Sequence, residues 1–235
     1  MSFSIHAPVA ALAVCGALLA FTPDANAMPT EFNGHYYEIV FADQVVIPPV
    51  IGKDGFPVIS WHTSNAAAGA RSYKGATGHL ATITSEGEDN FLKDLVMNTP
   101  GTFSKVIRGG FGQFWLGPWI GGFFDTGLGE YTWVNDEGSI PETNGGSDYA
   151  GWIGNEPNDP TEHHLVYAYV DLNFQTPNGN GLGWADCDNI CFDTVRSARI
   201  RAFIVEYDVV PEPATIAIFG LGLAGLGYMR RRRIG

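Results

Sequence analysis

The stretch Gly151-Trp152-Ile153-Gly154-Asn155-Glu156-Pro157-Asn158-Asp159 holds the clearest chemistry in the chain. Glu156 and Asn158 set two side-chain carbonyl oxygens on either side of one proline. A bond preceding proline can be cis at a cost of only about 0.5–1 kcal/mol. A cis Glu156–Pro157 bond would turn both oxygens toward one point, as a hard cation requires. Calcium takes roughly six to eight oxygens at about 2.3–2.6 Å, so the flanking chain has to supply further ligands and a fold to hold them.

Other chemistries fit less well. His163 and His164 stand beside Glu162 and invite zinc, but neighbours on a strand point to opposite faces, so one site takes at most one of them. No third nitrogen or sulfur ligand is evident. There is no Ser-His-Asp order, no Gly-x-Ser-x-Gly and no HExxH, so binding rather than turnover is expected.

Both ends differ in composition from the middle. Val9 to Phe21 is a short apolar run followed by Ala25-Asn26-Ala27, a small-x-small site, so residues 1–27 read as a cleaved signal peptide. Its n-region has no Lys or Arg. At the other end Val210-Pro211-Glu212-Pro213 precedes an apolar run from Ala214 to Met229 and then Arg230-Arg231-Arg232-Arg233. Sixteen residues at about 1.5 Å each reach only ~24 Å, short of a ~30 Å hydrocarbon core. With four glycines in it the run suits transient membrane insertion, the arginines facing the cytoplasm. Residues 209–235 resemble the bacterial PEP-CTERM sorting signal. The resemblance implies processing near Pro211-Glu212-Pro213 by an exosortase-type enzyme in an exopolysaccharide-making Gram-negative bacterium. The protein would be membrane-anchored until then, and afterwards at the cell surface or extracellular.

Residues 28–208 remain, ample for one core. They carry 23 acidic and 9 basic residues, a net charge of about −14. So acidic a surface argues against nucleic acid and suits cations, though it also serves plain solubility. Cys15 leaves with the signal peptide, so Cys187 and Cys191 are the remaining cysteines. They can close a local ring in the oxidising exterior, stay reduced or pair between chains.

The elements that must position the motif are set by periodicity. Gly34 to Phe41 reads as a strand, the Pro- and Gly-rich stretch to Pro57 as a loop, and Ser60 to Ala68 as a helix capped by Ser60. Gly78 to Ile83 is an extended connector. Ser85-Glu86-Gly87-Glu88 is a capping box for a helix to Met97, with Phe91, Leu92, Leu95 and Val96 at helical spacing. Phe114 to Gly117, Tyr131 to Val134, Leu165 to Val170, Gly183 to Asp186 and Ala202 to Tyr207 read as strands. Gly138 to His163 is a long polar loop, a length that is usually functional.

This order resembles the C-type lectin-like domain over a core of about residues 34–207. The likeness rests on Gly78-His79-Leu80-Ala81-Thr82-Ile83, Phe114-Trp115-Leu116-Gly117, Trp152, Glu156-Pro157-Asn158, Trp184-Ala185-Asp186 and Phe203-Ile204-Val205-Glu206. It implies an α+β fold with two helices, short antiparallel sheets, paired first and last strands and a long calcium-binding loop. His62 and His79 read as structural. The disulfides of vertebrate relatives cannot form here, and Val205 stands where they have cysteine.

By the same resemblance, Glu156, Asn158, Glu162 and Asp186 bind Ca2+ and a sugar together. Two vicinal hydroxyls give lone pairs to the ion, donate to Glu156 and Glu162, and accept from Asn158. Glu-Pro-Asn implies mannose-, glucose- or fucose-type glycans. Ala185 stands where the family has asparagine, which removes one ligand and one donor, and Asp188 and Asn189 are the substitutes at hand. Two functions are expected. One is an exported calcium-dependent lectin for glycans or exopolysaccharide. The other is a non-lectin surface or matrix interaction module, with structural calcium or none.

Overall fold

The computed structural model describes residues 28–45, 48–52, 55–108, 112–159, 161–170, 181–189, 191 and 200–209. The expected signal peptide, and the sorting segment beyond Val209 with Pro211-Glu212-Pro213, lie outside them. Among the described residues no helix is long and apolar enough to cross a membrane.

The chain opens with β1 (Thr30–Phe32) and β2 (His35–Phe41), then a two-stranded ribbon of β3 (Val50–Ile51) and β4 (Pro57–Val58). Helix α1 (Trp61–Gly69), β5 (Ser72–Tyr73), β6 (Ala76–Leu80) and α2 (Glu86–Met97) come next. The second half holds β7 (Ser104–Arg108), β8 (Gly112–Asp125), β9 (Glu130–Trp133), β10 (Ser139–Ile140), β11 (His164–Val170), β12 (Leu182–Cys187) and β13 (Ala202–Asp208). The fold is α+β, as expected. The first long strand and the last one pair antiparallel, Phe41 against Ala202 through His35 against Asp208.

One sheet carries the molecule in the order β1-β2-β13-β8-β11-β12, with β6 also on β13 and β7 and β9 on β8. Strand β13 is central, and Ala202 through Tyr207 are all buried, as befits a strand covered on both faces. Strand β8 runs well beyond Phe114–Gly117, straight through Pro118. The ladder with β11 accommodates this by a register shift: Leu116 faces Ala168 but Trp119 faces Val166. An extra residue in a ladder is where a strand tolerates a proline. The indoles of Trp61 and Trp119 cross-link these layers by donating to the carbonyls of Ile120 and Ile59, each at 2.9 Å.

Both helices start where serine caps them. Ser60 Oγ accepts from Thr63 N and Ser85 Oγ from Glu88 N, each at 3.2 Å. The Ser85 capping box is only half made, which corrects the expectation from sequence. The Glu88 carboxylate turns away from the Ser85 amide to accept from Thr84 N at 3.0 Å and Tyr37 Oη at 2.5 Å. A buried tyrosine hydroxyl outcompetes a solvated amide for it. The connector Gly78–Ile83 is half strand, since β6 pairs Leu80 with Val205 and Gly78 with Tyr207.

Candidate functional site

The long loop is fastened to β12 by backbone. Trp184 N donates to Gly151 O at 2.8 Å and Ile153 N to Trp184 O at 2.9 Å, a parallel bridge between Trp152 and Trp184. The approach demands glycine on both sides. A Cβ on Gly183 would lie 2.7 Å from Gly151 O, and one on Gly151 2.8 Å from the Trp184 ring. Trp152 is held from outside as well. Its amide and carbonyl pair with the Asn144 side chain at 3.0 and 2.8 Å, and its indole donates to Pro141 O at 2.6 Å. These contacts fix the start of the segment that runs on from Trp152, in which the Glu156–Pro157 bond is cis.

Asp186 is the anchor of the group. Its carboxylate is buried and accepts from Asn158 N at 3.2 Å, Asp159 N at 3.3 Å and Tyr131 Oη at 3.3 Å. Tyr131 Oη also lies 2.9 Å from Glu162 O, so one hydroxyl ties β9 to both ligand-bearing segments. Glu156 reaches the same place. Its carboxyl is hydrogen-bonded to Asp186 and to Asn158, and its Oε2 is buried with no hydrogen-bond partner. Burial first, then the hydrogen bond to Asp186 and the charges of Asp186 and Glu162, push its pKa up to about 9. Two carboxylates bonded to each other must share a proton or a cation.

The structure thus brings Glu156, Asn158 and Asp186 together, with Glu162 near enough for its charge to act on Glu156. Glu162 does not complete a tight cluster. Among the described residues the set of three His, Cys, Asp or Glu side chains with ligand atoms within 4.8 Å of one another is elsewhere, at His35, Glu206 and Asp208. An orphaned buried carboxylate oxygen beside a second carboxylate fits a divalent cation.

The substitutes for the missing asparagine are differently placed. Asn189 caps α1: its carbonyl accepts from Trp61 N at 2.9 Å and its side chain from His62 N at 3.0 Å. Asp188 O accepts from Cys191 N at 3.2 Å, closing the turn that the Cys187–Cys191 disulfide bridges. His163 and His164 face apart, His163 stacked on Phe124 and His164 against Trp61 and His62. A surface pocket of about 290 Å3 opens beside the motif, lined by Phe124, Tyr131, Glu142, Pro157, Asn158 and Asp159.

Two residues that hold the site had no signal in sequence. Tyr131 reads there as an ordinary strand residue. Asp89 reads as first-turn helix charge, yet it is fully buried and binds Tyr149, Tyr167, Trp184 and Lys93.

Comparison with known proteins gives three kinds of likeness. Residues 209–233 match the PEP-CTERM protein-sorting motif. A stretch of 174 residues, 72% of the chain, is 30% identical to halomucin of Haloquadratum walsbyi, of whose length the chain spans 2%. Among solved structures, the C-type lectin CEL-I of Cucumaria echinata matches at 11% identity and a TM-score of 0.47, over 78% of this chain and 96% of that one. The cow CD23 C-type carbohydrate-recognition domain, crystallised with a GlcNAc2Man3 oligosaccharide, matches at 16% and 0.44, over 79% and 96%. The mouse scavenger receptor C-type lectin carbohydrate-recognition domain matches at 16% and 0.44, over 79% and 98%. The chain joins a PEP-CTERM sorting motif at residues 209–233 to an α+β domain.

Proposed function

We propose that this chain is an exported, calcium-dependent carbohydrate-binding protein without catalytic activity. The observation that carries the reading is the half-buried Glu156 carboxyl set against the buried Asp186 carboxylate, with Glu156 Oε2 buried and unpartnered. Glu156, Asn158 and Asp186 would hold the calcium, with Glu162 the next carboxylate at hand. The bound ion supplies a positive centre to which two vicinal sugar hydroxyls give lone pairs. Glu156 and Glu162 then accept hydroxyl hydrogens, and the Asn158 amide donates to a hydroxyl oxygen. Glu-Pro-Asn favours mannose-, glucose- or fucose-type glycans, including the polymer around the cell. The amino-terminal signal exports the domain, and the sorting motif holds it at the membrane until an exosortase-type enzyme of a Gram-negative cell processes it near Pro211-Glu212-Pro213.

One observation favours a second reading, a surface or matrix module with structural calcium. Ala185 offers no amide to a sugar, and a missing donor costs about 0.5–1.5 kcal/mol of affinity.

Thermal melts separate the two. Calcium at about 100 times its Kd adds about 2.7 kcal/mol, a rise of roughly 5–10 °C for a domain this size. A further rise with mannose but not galactose supports the lectin reading, and a calcium rise with no sugar effect supports the matrix module. No calcium effect removes both calcium roles. Equal rises in wild type, Glu156→Ala and Asp186→Ala would put the ion elsewhere.

A further inference from the structure

The far end of the central sheet carries a second cluster of ligating groups, independent of the long loop. His35 on β2 lies directly opposite Asp208 on β13, and His79 on β6 directly opposite Glu206. Glu206 and Asp208 are two apart on one strand, so their side chains share a face. Three adjacent strands therefore present two imidazoles and two carboxylates to one place.

Their atoms converge. His35 Nδ1 lies 2.7 Å from Glu206 Oε1 and 2.8 Å from Asp208 Oδ1, and ligand atoms of all three residues fall within 4.8 Å of one another. One ring nitrogen thus faces two carboxylate oxygens. These are hydrogen-bond separations, shorter than the ~3.3–3.6 Å edge of a tetrahedral shell with bonds of about 2.0–2.2 Å, so the side chains would part by roughly half an ångström to admit an ion.

The supporting contacts are those of a built site. Glu206 is 1% exposed. Its Oε2 accepts from Thr82 N at 2.9 Å and Thr82 Oγ1 at 3.0 Å, which leaves Oε1 turned to His35 and within 3.2 Å of Tyr37 Oη. Asp208 is oriented from the other side. His79 Nδ1 donates to Leu80 O at 2.9 Å, which fixes the ring, and His79 Nε2 sits 3.1 Å from Asp208 Oδ2. Partners that hold a ligand from behind in this way set its orientation and strengthen its hold on metal. A pocket of about 400 Å3, lined by His35, Tyr37, Glu88 and Glu206 among others, opens the place to solvent and leaves room for water to complete the coordination.

We infer that His35, Glu206 and Asp208 form a zinc site, with His79, Thr82 and Tyr37 holding the ligands in place. One imidazole nitrogen with two carboxylate oxygens suits zinc, whereas calcium takes oxygen alone. The ion clamps β13 to β2 at Asp208, the residue immediately before the sorting motif that starts at residue 209. It ties down the strand from which the tail departs.

The test uses the purified protein stripped of metal with EDTA, then dialysed into saturating calcium so that the loop is occupied if it binds. Zn2+ alone is titrated by calorimetry, and Co2+ is used in parallel for its d–d absorption. One equivalent of zinc should bind saturably, with ligand-field bands for cobalt. His35→Ala and Asp208→Ala should each weaken binding at least tenfold. Asp208 is about half exposed, so its loss leaves the fold intact and keeps the result readable. His163→Ala should bind zinc as wild type does. The inference is overturned if wild type takes up no zinc saturably, if Asp208→Ala and His35→Gln bind as tightly as wild type, or if affinity follows His163 instead. A failure of calcium to bind the loop leaves these outcomes unaffected.

Discussion

Asp89 is where a single substitution should cost the domain most. Four donors converge on its fully buried carboxylate: Tyr167 Oη at 2.6 Å, Tyr149 Oη at 2.6 Å, Trp184 Nε1 at 3.0 Å and Lys93 Nζ at 2.6 Å. They come from β11, the long loop, β12 and the next turn of α2, so one side chain joins the helix to everything that carries the loop. Asp89→Ala leaves the buried Tyr167 hydroxyl and Trp184 indole N–H without an acceptor, at about 1–3 kcal/mol each. Lys93 and Tyr149 are partly exposed and regain water, so their loss adds less. The two buried orphans alone sum to about 2–6 kcal/mol, against roughly 5–15 kcal/mol for a typical domain. At about 2–4 °C per kcal/mol for a domain this size, the melting temperature should fall by roughly 5–25 °C.

Urea unfolding followed by tryptophan fluorescence measures this directly, with Trp184 itself among the reporters. Tyr167→Phe alone should cost only about 1–2 kcal/mol, because it removes a donor and its need together. In the Asp89→Ala background the same change should cost almost nothing or relieve part of the loss, since the orphaned hydroxyl is gone. An Asp89→Ala cost below about 1 kcal/mol would refute the reasoning. So would full additivity of the two changes, which contacting residues do not show.

Glu156→Gln should leave the calcium-free melting temperature unchanged or slightly higher, because an amide donates to Asp186 as the protonated carboxyl does, and it should abolish the calcium-induced rise. His164 carries a pKa lowered to about 4, by burial first and then by His62 and His163. A histidine depressed in the fold contributes its stability above its unfolded pKa of about 6.5 and loses it as pH falls toward 4, up to about 3 kcal/mol. His164→Gln should therefore flatten the urea midpoint between pH 7 and pH 4 relative to wild type. Ala185→Asn should lower the melting temperature by several degrees without raising calcium affinity, as melts with calcium and with chelator would show.

Most of the architecture is legible before any coordinates, because it rests on local chemistry that travels with the residue. Ser60 and Ser85 announce helix starts, Leu92 and Val96 a buried face, and Phe203 to Tyr207 a covered strand. The illegible part depends on residues far apart in the chain. Glu88 has the spacing of a capping box, but Tyr37, 51 positions earlier, claims its carboxylate. Pro118 suggests an end to the strand at Phe114–Gly117, and only the extra residue in the ladder with β11 lets β8 run to Asp125. Asp89 carries no mark of burial because its four partners lie on other elements or a turn away.

Ala185 illustrates the same limit at the site itself. In one dimension it is a missing ligand, one residue short of Asp186 and open to repair by asparagine. In the sheet, neighbours on β12 face opposite ways. Asp186 pairs across with Leu165 and turns to Tyr131 and the loop, while Ala185 pairs with Val166 and is 7% exposed in the cluster with Cys187 and Ile153. An asparagine there would carry an unpaired amide into apolar packing, at about 1–3 kcal/mol, instead of reaching the ion. If the loop holds calcium as proposed, a fifth ligand therefore has to come from the loop side, from a backbone carbonyl, from water or from the sugar. On the proposed reading Ala185 therefore costs the ion nothing that an asparagine here could have given, and each oxygen the protein does not supply leaves a coordination position for a sugar hydroxyl.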